Sequence, residues 1–171
     1  MTLVIRNLQQ AVKVNIFQLH FDSCLIRKLA GYERFGFGVM LTSDEEIRLL
    51  NEQYRGENDV TDVLAFPYHE ISPDNAGCVP ETCEDEMILG DIVLGLPYIA
   101  CQAQKNKEHF DSSVMTMITH GLCHLVGFDH ETHEQWTKMW QREMDILTKF
   151  NKVTGYRCSP LLAVGHFSEE Y

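Results

Sequence analysis

The stretch HGLCHLVGFDH, residues 120–130, places three histidines at metal-ligand spacing. His120 and His124 are four residues apart, so a helix sets them one turn above each other on one face. Gly127 has no Cβ and lets the chain leave that helix through a left-handed turn. His130 then returns as a third nitrogen ligand. A lone H-x-x-x-H pair is a weak signal. The full spacing with its glycine favours a metal site over a buried histidine cluster satisfied by backbone hydrogen bonds. Three imidazoles on one zinc leave a fourth position for water, the plan of a catalytic rather than a closed structural site. Such an ion brings the pKa of its water from about 15.7 towards 7, so no dedicated base is needed near neutral pH.

The spacing is similar to the zinc-protease pattern H-E-x-x-H-x-x-G-x-x-H, with Gly121 where those enzymes carry their general base. A glycine cannot accept a proton, so peptidase chemistry is disfavoured. With Leu125, Gly127, Asp129 and His130, the motif resembles instead the YbeY family of metal-dependent endoribonucleases. Two further segments carry the resemblance in the family's order. One is Tyr54-Arg55 followed by Thr61-Asp62-Val63-Leu64-Ala65-Phe66-Pro67, where serine is more usual than Ala65; the other is Leu89-Gly90-Asp91-Ile92. The resemblance implies one zinc per chain, single-stranded RNA as substrate, and a role in ribosomal RNA processing and small-subunit maturation. It also implies contact with small ribosomal subunit proteins, and a mitochondrial location if the chain comes from an animal.

The 171 residues suit one domain with a real core, and 44% of them are apolar. No run approaches the roughly 18 apolar residues of a membrane span, and the N-terminus reads as a strand rather than a signal or import peptide. Six cysteines without a C-x-x-C pair point to free thiols in a reducing, intracellular compartment, the cytoplasm if not the mitochondrion. Cys123 reads as a packing residue between the ligands, and Cys78 and Cys83 lie in a polar loop. The net charge of −11 is unusual for an RNA enzyme, because phosphate neutralisation supplies much of such binding. No lysine or arginine occurs between Arg55 and Lys105. Arg55 is thus an isolated cation beside an acidic stretch, and a protein partner that delivers RNA would suit that balance.

Strands are expected at 2–7, 37–42, 62–67 and 87–94. Helices are expected at 17–34, with Phe17, Phe21, Leu25 and Leu29 as its spacing, and from Ser43, capped by Glu46, to Gly56. Others start at Pro97, near Ser112 for the motif helix, and at Thr132, capped by Gln135. The last presents Trp136, Met139, Trp140, Leu147 and Phe150 to the core. The acidic stretch of about 20 residues between the third and fourth strands reads as a solvated insertion. The fold class is α/β (α+β): one domain over residues 1–150, a four-stranded mixed sheet covered by about five helices, and an irregular tail at 151–171.

His120, His124 and His130 are the metal candidates, with His120 also catalytic. Arg55 is the candidate to clamp non-bridging phosphate oxygens with its fork, against an ordinary surface salt bridge. Asp129 either orients a ligand imidazole or caps the turn locally. Asp62 and Asp91, in or beside strands, support loops or helix ends around the site. His133 is expected to be exposed, and His20, His69, His109 and His166 follow no pattern that asks for function. Two alternatives stay open: a ribosome-assembly factor with structural zinc, and a metal-dependent hydrolase of another substrate class.

Overall fold

A computed structural model describes residues 2–162. Four strands form one mixed sheet in the order β1-β2-β4-β3. β1 (Leu3–Asn7), β2 (Gly36–Thr42) and β4 (Ile88–Gly95) run parallel, while β3 (Val63–Pro67) lies antiparallel to β4 at the edge. Pro67 closes β3 on that edge, where a missing N–H costs least. Five helices complete the domain: α1 (Ile16–Leu29), α2 (Asp44–Arg55), α3 (Leu96–Asn106), α4 (Phe110–Leu125) and α5 (His133–Thr154).

The motif helix α4 starts two residues earlier than Ser112 and is the centre of the molecule. Every residue from Ser112 to Cys123 is buried, so α4 lacks a solvated face. It lies close against the sheet at Gly121. A Cβ built there would stand 2.9 Å from Cγ2 of Ile92 on β4, so only glycine lets the helix lie this near.

The capping signals are realised locally. Ser43 Oγ accepts the Glu46 N–H at 3.3 Å, and α2 ends at Gly56 with φ +71. Thr132 accepts the Gln135 N–H, and the Gln135 side chain accepts the N–H of Glu131.

The structure departs from expectation in three places. α1 ends at Leu29, five residues before the expected limit, because Gly31 turns the chain at φ +86. Its core face is also a different one: Leu19 and Ile26 are buried, while Phe17 and Phe21 are 91% and 65% exposed. Buried Asp22 shares the inner face because Tyr156 and Gln18 donate to it at 2.7 and 2.9 Å. Second, α5 continues to Thr154, and residues 155–162 pack on the domain rather than trailing from it. Asn151 holds Cys158 at both its N–H and its carbonyl, at 2.9 and 2.8 Å, and Thr116 donates to Ser159 O at 3.2 Å. The rest of the expected tail, with His166, lies outside the described residues. Third, the acidic stretch is solvated only in part. Gly77 N–H donates to Val126 O at 2.8 Å, and Tyr32 donates to Gly77 O at 3.1 Å, tying residues 71–77 to the end of α4. On α5, Trp136 and Met139 are buried as expected, whereas Trp140 is half-buried.

Candidate metal centre

The site forms where α4 ends. Gly127 takes φ +100, its N–H bonds to His124 O, and the Phe128 N–H bonds to Cys123 O at 3.0 Å. This left-handed exit closes the last carbonyls and turns the chain back. It brings His130 to within 5.5 and 5.1 Å of the His120 and His124 rings, centre to centre. One ligand nitrogen from each histidine lies within 4.8 Å of the others, and the facing Nε2 atoms of His120 and His124 are 3.1 Å apart. Two nitrogens on one tetrahedral zinc stand about 3.4 Å apart, given Zn–N bonds of about 2.0–2.1 Å. The donor set therefore fits such an ion. Among the described residues no other cluster of three or more His, Cys, Asp or Glu has this geometry.

Electrostatics prepares the ligands. Burial, then the neighbouring His130, pushes the His120 pKa down to about 4, against the opposing pull of Asp62 and Asp129. Burial, then His120 and His130, pushes His124 down to about 3. Both rings are neutral at pH 7 with a lone pair free to bind metal. Cys123, between them, is buried against the core; burial raises its thiol pKa and keeps it from acting as a thiolate ligand.

A cavity of about 890 Å³ opens over the three histidines and wraps the outer edge of β3. Arg55 lines it from the last turn of α2, which packs on the opposite face of the sheet. No salt bridge joins Arg55 to a described carboxylate. Asp62 and Asp129 also line the cavity. Asp62 Oδ1 accepts the Val63 N–H at 2.7 Å and Thr61 Oγ1 at 3.3 Å, holding the start of β3. Asp129 Oδ1 accepts the His130 N–H at 2.8 Å and so caps the turn locally. Ile71 packs against Gly127 and, with Pro73, adds a wall from the acidic stretch.

Asp91 is not brought to this group. On β4 successive side chains alternate faces, and Ile92 points at α4, so Asp91 points to the other side of the sheet. There it covers Gly38 and lines a separate groove with Val4 and Arg6. The packing of α4 on the sheet accounts for the missing protease glutamate. Position 121 faces β4, so no side chain there could serve the cavity.

The sequence reading missed Glu143 on α5. It is fully buried, and its Oε1 lies 3.0 Å from His120 Nδ1. A carboxylate on the apolar stripe of α5, four residues after Met139 and three before Ile146, was the available signal. His133 is exposed as expected and stacks on Trp136 with ring planes 8° apart.

The family described as Endoribonuclease YbeY matches residues 5–151. The chain belongs to the YbeY family. Relatives named Endoribonuclease YbeY include one from Homo sapiens, 39% identical over 94% of this chain and 95% of its own length. Another, from Halalkalibacterium halodurans, is 34% identical over 74% of this chain and 82% of its own. The solution structure of a Thermotoga maritima protein shares the fold with a TM-score of 0.52 and 22% identity, over 88% of this chain and 93% of that one. The YbeY match takes in all three histidines, Arg55 and Glu143.

Proposed function

We propose that this YbeY-family chain is a zinc-dependent endoribonuclease that hydrolyses single-stranded RNA in ribosomal RNA processing and small-subunit maturation. The observation that carries the reading is the meeting of three imidazoles and an arginine, with no salt bridge to a described carboxylate, in one cavity, in a chain whose relatives are named endoribonucleases. His120, His124 and His130 would hold the ion. When bound, it supplies Lewis-acid polarisation and an acidified water. Arg55 offers a planar fork to the phosphate oxygens, where charge builds during cleavage. Asp62 and Asp129 hold the cavity walls through the backbone. The acidic residues around the opening weaken free RNA binding, which favours delivery by a basic small-subunit ribosomal protein. No described helix is long and apolar enough to cross a membrane. Free cysteines support a reducing intracellular compartment, the mitochondrion for an animal chain.

The test is cleavage of a labelled single-stranded RNA by metal-loaded wild type, His124→Ala and Arg55→Ala, with zinc content measured for each. Loss of cleavage in both variants, with zinc kept in Arg55→Ala, supports the reading. Equal cleavage by all three would put the activity elsewhere and leave the assembly-factor reading in its place.

A further inference from the structure

We propose that Glu143 is a positioning residue for the metal centre: it accepts a hydrogen bond from Nδ1–H of His120, which sets the tautomer that aims Nε2 at the ion. The inference rests on the metal reading above. A neutral imidazole carries one N–H, and the partner of one ring nitrogen decides the role of the other. Here the His120 ring is strung between two contacts. Its Nδ1 meets Glu143 Oε1 at 3.0 Å, and its Nε2 faces His124 Nε2 at 3.1 Å. With Nδ1–H donated to the carboxylate, the Nε2 lone pair can point only into the space between the three histidines.

Core stability alone does not explain a glutamate at this place. Glu143 is 0% exposed, and among the described residues its second oxygen, Oε2, makes no hydrogen bond of normal geometry. A buried carboxylate with one oxygen so weakly held costs stability, and an apolar side chain of similar size would pack at lower cost. A cation one imidazole away changes that balance, since the carboxylate then sits opposite the charge of the ion and raises the basicity of its ligand. The backbone of Leu161 and Leu162 also acts on the Glu143 carboxyl. The segment after α5 thereby helps to place the residue that places His120.

The test compares zinc affinity, by competition with a chelator, with the thermal stability of the metal-free protein. Glu143→Gln is nearly isosteric, and Glu143→Asp keeps the charge but falls short by one methylene. Both lower zinc affinity by about 10–100-fold, the usual cost of losing such a partner. Metal-free Glu143→Gln melts at or above the wild-type temperature, because an ionisable group no longer has to be buried. Long-range 1H–15N spectra of the zinc-loaded wild type show His120 protonated at Nδ1. Wild-type zinc affinity in Glu143→Gln, or affinity lost only together with metal-free stability, overturns the proposal. His124→Ala separates the two levels. If it keeps wild-type zinc affinity, the metal reading fails; if it loses zinc while Glu143→Gln does not, only the role of Glu143 fails.

Discussion

Replacing Gly121 by alanine tests whether the site depends on how closely α4 lies on the sheet. The new Cβ would meet Ile92 Cγ2 at 2.9 Å and Cδ1 and Cγ1 at 3.2 Å. Carbon atoms prefer about 3.5–4.0 Å, so α4 or Ile92 must give by roughly half an ångström. Ile92 has little room: it is fully buried on β4, paired with Val39 on one side and Ala65 on the other. Overpacking of this kind costs about 1–3 kcal/mol, while alanine in place of a helical glycine returns about 1 kcal/mol. The net loss is about 1 kcal/mol, or a melting point lower by about 2–4 °C for a chain of this size. Function loses more than stability does. His120 and His124 ride on α4 and His130 follows its end, so the ligands move together and zinc affinity changes little. Arg55 stands on α2 across the sheet and stays behind. A misplacement of this order between reacting groups lowers cleavage by about tenfold or more. Urea unfolding, chelator competition and RNA cleavage measure the three effects. Ile92→Ala in the same chain relieves the contact, so the double variant is less destabilised than the sum of the single ones. A Gly121→Ala protein that is more stable than wild type and cleaves RNA normally would refute the close-packing argument.

Arg55→Lys keeps the charge and loses the fork. Cleavage then falls by about ten- to a hundredfold, the worth of one charge-assisted hydrogen bond at about 1.5–3 kcal/mol, with zinc content unchanged; full activity would remove the clamp from the mechanism. In the metal-free protein, unfolded histidines bind protons near pH 6.5 that His120 and His124, pushed down to about 4 and about 3, refuse, so their contribution falls as pH drops below 6.5. Glu143, pushed up to about 8 by burial, has the opposite sign, because the folded state keeps a proton that the unfolded chain releases above 4.5. These three groups leave a net slope of one proton, about 1 kcal/mol per pH unit, on the acid side and the reverse slope above. Metal-free stability therefore peaks near the 6.5 of an ordinary histidine, and urea midpoints that keep rising towards pH 8 would contradict this. Asn151→Ala removes both hydrogen bonds to Cys158 and lowers stability by about 1–3 kcal/mol by urea titration, while an unchanged midpoint would mean that residues 156–162 are held by packing alone.

Features governed by neighbours along the chain were legible in the sequence. The four-residue step from His120 to His124, the turn at Gly127, the caps at Ser43 and Thr132, and four strands within a residue or two all rest on helix period, strand period or backbone sterics. Contacts between distant segments were not legible. Two apolar stripes were available on α1, and the choice fell to the one whose buried Asp22 meets Tyr156, 134 residues away. Asp91 matched a family motif, yet the pairing of β4 with β2 and β3 and the packing of Ile92 on α4 turn it to the far side of the sheet. Glu143 is 23 residues from His120, and only the docking of α5 against α4 makes it a partner of that ring. By itself, the sequence determined that three imidazoles converge, because their spacing follows from local geometry. Which carboxylate serves them, what walls the cavity, and why position 121 carries no side chain were decided by the tertiary structure, where burial and sheet packing select among contacts that local geometry leaves equal.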